Sequence, residues 1–274
     1  MAGLGFGRLR ECLDEDYRLM TAALAAAGPA ARVPSCPGWD AAKLGFHLAE
    51  VYEYVAEAIR TGREPAEDPP RRETDAVKAV ELGYAALVAQ FDAHVPADFA
   101  PTWYEPDQSV GFWIRRMAHE TAVHRIDAQL AAGLLVDTVP DDLAADGIDE
   151  FLIAFVGYLG TTWRERETVA RLLEAPDTRP VLVQETGGRA WLVTATPGGI
   201  DAAGVAGAEA QADGADASGT APTAAFPAAL TVSGPAPEVL AWLWNRTTGS
   251  EGVQVSGDPL ALAHFGAFRA VFTG

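Results

Sequence analysis

Through the first 160 residues apolar side chains recur every three or four positions, the period of helices with one buried face. Phe6, Leu9, Leu13, Tyr17, Met20 and Leu24 mark a first helix over 6–27, stopped by Gly28-Pro29. Val33-Pro-Ser-Cys-Pro-Gly-Trp39 cannot be regular, and Asp40 is placed to cap a second helix. The inward face of that helix reads Leu44, His47, Leu48, Val51, Val55 and Ala58. A proline-broken loop over 62–72 separates it from a third helix, about 73–94, with Val77, Val80, Tyr84, Leu87, Val88 and Phe91 as its face. After a loop over 95–108 that carries Trp103 and Tyr104, a fourth helix contains 113–128. Pro140-Asp141-Asp142 opens a fifth helical segment, strongly apolar at Phe151, Leu152, Phe155, Val156 and Leu159.

From about residue 179 the pattern shortens to β-type runs. Pro180–Thr186 and Ala190–Thr196 flank Gly187-Gly188 and read as a hairpin. Residues 198–225 hold Gly, Ala, Asp and Ser with little to pack, and read as a flexible excursion. A strand at 229–233, a helix from Ala236 to Arg246, a strand at 253–255 and a helix from Pro259 to Phe272 complete the chain. The predicted fold is a helical bundle over residues 1–165 followed by a small α+β domain over 166–274.

The fourth helix breaks the pattern. Its core-facing stripe is Trp113, Met117, Glu120, His124, Asp127 and Ala131, half of it ionisable. Buried charges cost several kcal/mol each without a partner, so an inward Glu and His one turn apart point to a shared cation. His47, inward on the second helix, is the candidate third ligand of an open, catalytic type of metal site. Asp127 suits a fourth ligand, an acceptor behind the His124 imidazole, or a carboxylate at the stripe's edge; the acceptor role is preferred. His119-Glu120-Thr-Ala-Val-His124 resembles a metalloprotease signature but fails it, because histidines five apart lie roughly 140° apart around a helix. His119 is therefore expected to face solvent or pack on a neighbour, and His94 and His264 lie near helix surfaces. Cys36, between prolines, reads as structural before reactive, and Cys12 as a helix-face filler. Arg115, Arg116 and Arg125 flank the proposed site, and Arg246 ends an apolar helix where it could meet an anionic ligand.

Composition narrows the partners. The net charge of −18, from 38 acidic against 20 basic residues, argues against nucleic acid and anionic membranes. There is no apolar run of membrane-spanning length and no signal-peptide layout, so a cytoplasmic location is expected. Two cysteines cannot make a disulfide scaffold.

Ser35-Cys36-Pro37-Gly38-Trp39, His47 eight residues on, and Arg116-Met-Ala-His-Glu120-Thr-Ala-Val-His124-Arg-Ile-Asp127 together resemble the actinobacterial mycothiol-dependent maleylpyruvate isomerase family. The resemblance implies a DinB-like metal-binding four-helix bundle and a C-terminal α+β domain of the sterol-carrier-protein kind. It puts the zinc ligands on His47, Glu120 and His124, the three reached from periodicity, with zinc or another divalent metal as the ion. It implies mycothiol as thiol cosubstrate and a small electrophile as substrate, in a monomer or weak homo-oligomer. The family's arginine at the end of a C-terminal helix falls on Arg246, here in an Asn245-Arg246 context. Arg246 and Asp127 are then the candidate catalytic residues, with Arg116 and Arg246 as contacts for the thiol. The implied reaction is cis–trans isomerisation of a maleyl-type diacid. An S-transferase that leaves the thiol attached to its electrophile, or a non-catalytic metal-containing binding protein, are the alternatives.

Overall fold

A computed structural model describes residues 3–65, 73–174, 180–205, 228–247 and 252–273. The chain folds as two compact units, Gly3–Val139 and Pro140–Gly274.

The first unit is four helices: α1 (Phe6–Ala27), α2 (Ala41–Thr61), α3 (Ala76–Ala93) and α4 (Val110–Ala131). Their ends follow local chemistry. Gly28 stops α1 at a φ of 75°, while Asp40, Asp75 and Ser109 cap α2, α3 and α4 by accepting backbone N–H bonds from the first turn. α1 packs along α4 and α2 along α3, with α2 also against α4. The α2–α3 approach is close because Gly83 has no side chain: a Cβ there would lie 2.9 Å from the Ala49 carbonyl oxygen. The predicted helices all form, but α4 differs from expectation in one respect. It is buried on nearly every side, including Arg116, His119, His124, Arg125 and Asp127. Its polar residues on all faces therefore need partners inside the bundle.

Arg125, expected beside the metal ligands, is 1% exposed and serves a different network. Its Nε donates to Asp16 Oδ1 on α1 at 2.9 Å, and its Nη1 to Gln129 Oε1 at 3.0 Å and to the Asp137 carbonyl. Burial pushes the Asp16 carboxyl up, and the Arg125 guanidinium works against it. His119 is buried, not solvent-facing.

The second unit begins with α5 (Asp141–Glu150), which runs into a π-helical segment (Phe151–Leu159) and a last turn α6 (Gly160–Thr162). α7 (Glu167–Leu173), α8 (Ala236–Leu243) and α9 (Pro259–Thr273) accompany a five-stranded sheet. Its strands are β1 (Val181–Glu185), β2 (Ala190–Thr196), β3 (Gly199–Gly204), β4 (Leu230–Gly234) and β5 (Gln254–Gly257). The order is β3-β2-β1-β4-β5. β1 and β2 form the predicted hairpin, β1 pairs parallel with β4, and the other pairs are antiparallel. The π-helical segment packs on β3 and α5 on α8, so the units divide at 139/140 and not at the expected boundary of 165: the fifth helical segment belongs with the sheet. Phe151 and Phe155 meet Trp244 with ring centroids 4.8 and 5.3 Å apart. Trp191 is fully buried, and its indole N–H donates to Asp149 Oδ1 at 2.8 Å.

Strand β3 and helix α7 were not foreseen. Gly199–Gly204 falls inside the stretch read as a flexible excursion, and it is ordered by six residue pairs with β2 that its own composition does not announce. The remainder of that excursion, 206–225, lies outside the described residues. Buried Arg269, also unforeseen, closes the end of α8: its guanidinium donates to the carbonyls of Leu243 and Trp242 and stacks on the Trp242 ring, while burial lowers its pKa to about 10.

Candidate metal centre

Capping by Asp40 fixes where α2 starts and puts His47 two turns in, facing α4. Ser109 does the same for α4, and Glu120 and His124 then lie one turn apart on the face opposite His47. The three side chains converge. His47 Nε2 is 3.2 Å from Glu120 Oε1, and His124 Nε2 is 3.3 Å from the same oxygen. One ligand atom from each lies within 4.8 Å of the others.

Exposure is graded across the group. The side chains of His47, Glu120, His124 and Asp127 are 33%, 16%, 10% and 0% exposed, so the centre opens on the His47 side. Two of the three candidate ligands are also held from behind. Arg116 Nη2 donates to Glu120 Oε2 at 2.5 Å, leaving Oε1 to the histidines. His124 Nδ1 is 2.8 Å from Asp127 Oδ2. A carboxylate can only accept there, so Nδ1 carries the proton and the neutral imidazole has its lone pair on Nε2. The Trp39 ring stands edge-on to His47 at 5.1 Å and stacks over His124 at 6.4 Å.

The charges reinforce this arrangement. Burial would raise the Glu120 carboxyl, but the Arg116 guanidinium and His124 outweigh it and hold it well below the usual carboxylate range. Burial works to lower His124, and the Glu120 charge with the Asp127 hydrogen bond overrides it, raising the imidazole to about 9. Two imidazole nitrogens aimed at one carboxylate oxygen need a hydrogen or a cation on each line of approach, since a bare lone pair would repel the oxygen.

The donor set fits a divalent metal. Bonds of about 2.0–2.1 Å to a tetrahedral ion place neighbouring donors about 3.3 Å apart, against 3.2 and 3.3 Å for the two pairs that include Glu120, with all three donors within 4.8 Å of one another. Two imidazoles and one carboxylate also match catalytic zinc sites, which keep one position for water or substrate.

The sequence-predicted residues are distributed as follows. His47, Glu120 and His124 come together, and Asp127 lies behind His124 rather than at an exposed edge. Arg116, expected to hold the thiol, spends part of its guanidinium on Glu120. Arg246 belongs to the second unit, where its Nη1 donates to the carbonyls of Trp244 at 2.6 Å and Thr273 at 3.3 Å. His94 and His264 each bond a backbone carbonyl of the helix region nearby, Gln90 and Leu172. Sequence reasoning missed Ser35 and the place of Cys36. The Ser35 hydroxyl bonds Asp127 Oδ1, and Cys36 Sγ is 3.6 Å from Asp127 Oδ2. Nothing in local spacing links positions separated by 92 residues.

Residues 10–129 match the Mycothiol maleylpyruvate isomerase N-terminal domain, and residues 142–264 match the MDMPI C-terminal domain. The chain belongs to the mycothiol-dependent maleylpyruvate isomerase family. Solved structures agree in fold. A crystal structure of the mycothiol-dependent maleylpyruvate isomerase is similar with a TM-score of 0.57 at 12% identity, over 93% of this chain and 96% of that one. A histidine-to-alanine mutant of the mycothiol-dependent maleylpyruvate isomerase gives 0.58 with the same identity and coverage. No curated protein matches the chain. Among the described residues no helix is long and apolar enough to cross a membrane.

Proposed function

We propose that this chain is a metal-dependent isomerase of the maleylpyruvate type that uses a mycothiol-like thiol. The observation that carries the reading is the convergence of His47, Glu120 and His124, with Glu120 braced by Arg116 and His124 by Asp127, in a member of that family. A zinc ion bound there would supply an open position that holds a thiol sulfur as thiolate at neutral pH.

The chain's own residues do the rest. Asp127 keeps the His124 proton on Nδ1, and Arg116 holds Glu120 in its anionic form. Trp39 walls the centre beside both histidines and keeps water from that side. Isomerisation then needs no net proton. The thiolate adds to one carbon of the cis double bond, forming a C–S bond while the π pair moves onto the conjugated carbonyl. The new single bond rotates, the pair returns, and the C–S bond breaks to give the trans alkene and the thiolate again. The charge that appears on the carbonyl oxygen calls for a nearby cation or hydrogen-bond donor.

The test is turnover of maleylpyruvate by zinc-loaded protein with and without mycothiol. Thiol-dependent appearance of the trans isomer is expected. A stable thiol–substrate adduct instead would make the protein an S-transferase, and no thiol-dependent change would refute the reading.

A further inference from the structure

The loop before α2 is built as two linked β-turns. Cys36 N donates to the Val33 carbonyl at 3.2 Å, and Trp39 N donates to the Cys36 carbonyl at 3.0 Å, so Cys36 closes one turn and opens the next. Pro34 and Pro37 occupy the second position of each turn, where φ must be near −65°. Gly38 supplies the φ of 87° that the third position of a type II turn requires. A third bond, Val33 N to the Trp39 carbonyl at 3.1 Å, ties the two ends together. Covalent geometry thus stiffens the loop before any side chain packs.

This stiff loop meets the metal centre at two places. Trp39 lies against His47 and His124, and Ser35 and Cys36 meet the fully buried carboxylate of Asp127. Oδ1 accepts from the Ser35 hydroxyl, while Oδ2 accepts from His124 Nδ1 and lies near the Cys36 thiol.

We propose that Ser35 is a positioning residue of the metal centre, acting through Asp127 on His124. A carboxylate bonded at one oxygen alone can turn about its last torsion. Ser35 on the other oxygen fixes the carboxylate plane and so aims Oδ2 at Nδ1. That fixes both the tautomer and the tilt of the His124 ring, and with them the direction of the Nε2 lone pair toward Glu120 Oε1. Ser35 bonds Asp127 and is not one of the three candidate ligands. Cys36 adds a weaker donor from the same loop. The inference rests on the reading that His47, Glu120 and His124 take a divalent cation.

Competition of the full-length protein with a chromophoric chelator for Zn²⁺ tests it, alongside the visible spectrum of the Co²⁺-loaded form. Ser35→Ala is expected to weaken Zn²⁺ binding about ten-fold or more and to shift the Co²⁺ spectrum. Ser35→Thr, which keeps the hydroxyl, is expected to restore both. Ser35→Cys keeps the shape with a poorer donor, should give an intermediate affinity, and carries the test if the alanine variant does not fold. Wild-type affinity and an unchanged spectrum in Ser35→Ala or Ser35→Cys would overturn the role of Ser35 alone. Wild-type protein that takes up no Zn²⁺ would overturn the site reading, and the role of Ser35 with it.

Discussion

Replacing Glu120 by Gln keeps the shape of the side chain and removes the charge on which the centre is built. Across the 3.3 Å between His124 Nε2 and Glu120 Oε1, opposite charges attract by about 5 kcal/mol at an effective dielectric of about 20. Burial of the imidazole cancels part of that. The net elevation of His124 from 6.5 to about 9 corresponds to about 3 kcal/mol. The sign follows from linkage: a histidine raised on folding stabilises the metal-free protein fully below pH 6.5, and the contribution is lost as pH rises through about 9. Chelator-treated wild type should therefore lose stability between those limits, while Glu120→Gln should flatten the slope and lower the His124 pKa, leaving only the share that Asp127 supplies. NMR titration of the His124 ring reads the second quantity, and urea unfolding at several pH values the first. The variant should also be less stable overall, because the buried Arg116 exchanges a carboxylate partner for a neutral amide. A His124 that titrates near 6.5 in wild type, or one that Glu120→Gln does not move, would refute the electrostatic account.

Three further outcomes are expected. Asp127→Asn should leave the bundle folded yet weaken Zn²⁺ binding by about 10–100-fold in chelator competition, since an amide can present its N–H₂ to His124 and permit the wrong tautomer; unchanged affinity would remove Asp127 from the centre. Arg125→Ala should cost about 3–5 kcal/mol in denaturant unfolding by stranding the buried Asp16 carboxylate, while the metal content per chain stays as in wild type. Saturating Zn²⁺ at about 100 times its dissociation constant should stabilise the wild type by about 2.7 kcal/mol, and a thermal midpoint in His124→Ala that rises equally would place the ion elsewhere.

Much of this molecule was legible because its helices announce themselves at both ends and along one face. α2 shows the limit of the method at its best: a capping Asp40 and an apolar period were enough to turn His47 inward. α4 was read through a single stripe, which recovered Glu120 and His124 but not the surroundings, since a helix buried on every side has no favoured face to read. The sequence puts Arg125 beside the metal ligands and leaves His119 either at solvent or on a neighbour, because Asp16, which each faces, lies about a hundred residues away on α1. Strand β3 was missed for a related reason. Gly199-Ile-Asp-Ala-Ala-Gly204 has almost no intrinsic β preference, and only its ladder with β2 holds it extended. The bond from Ser35 to Asp127 likewise depends on tertiary placement, though the Pro-Gly turn that presents Ser35 is written plainly in the chain.

The graded exposure from His47 to Asp127 separates two properties of a bound ion that a list of ligands merges. With a third of its side chain in solvent, His47 would be the ligand that a chelator or an incoming thiol meets first, so its bond would govern how fast an ion bound there is exchanged. His124 and its buried brace have no such access and would govern how tightly that ion is held at equilibrium. Lability and affinity can then be tuned apart: a change at His47 should alter the time course of metal release by more than a change at Ser35 does, whatever their effects on the final distribution of zinc.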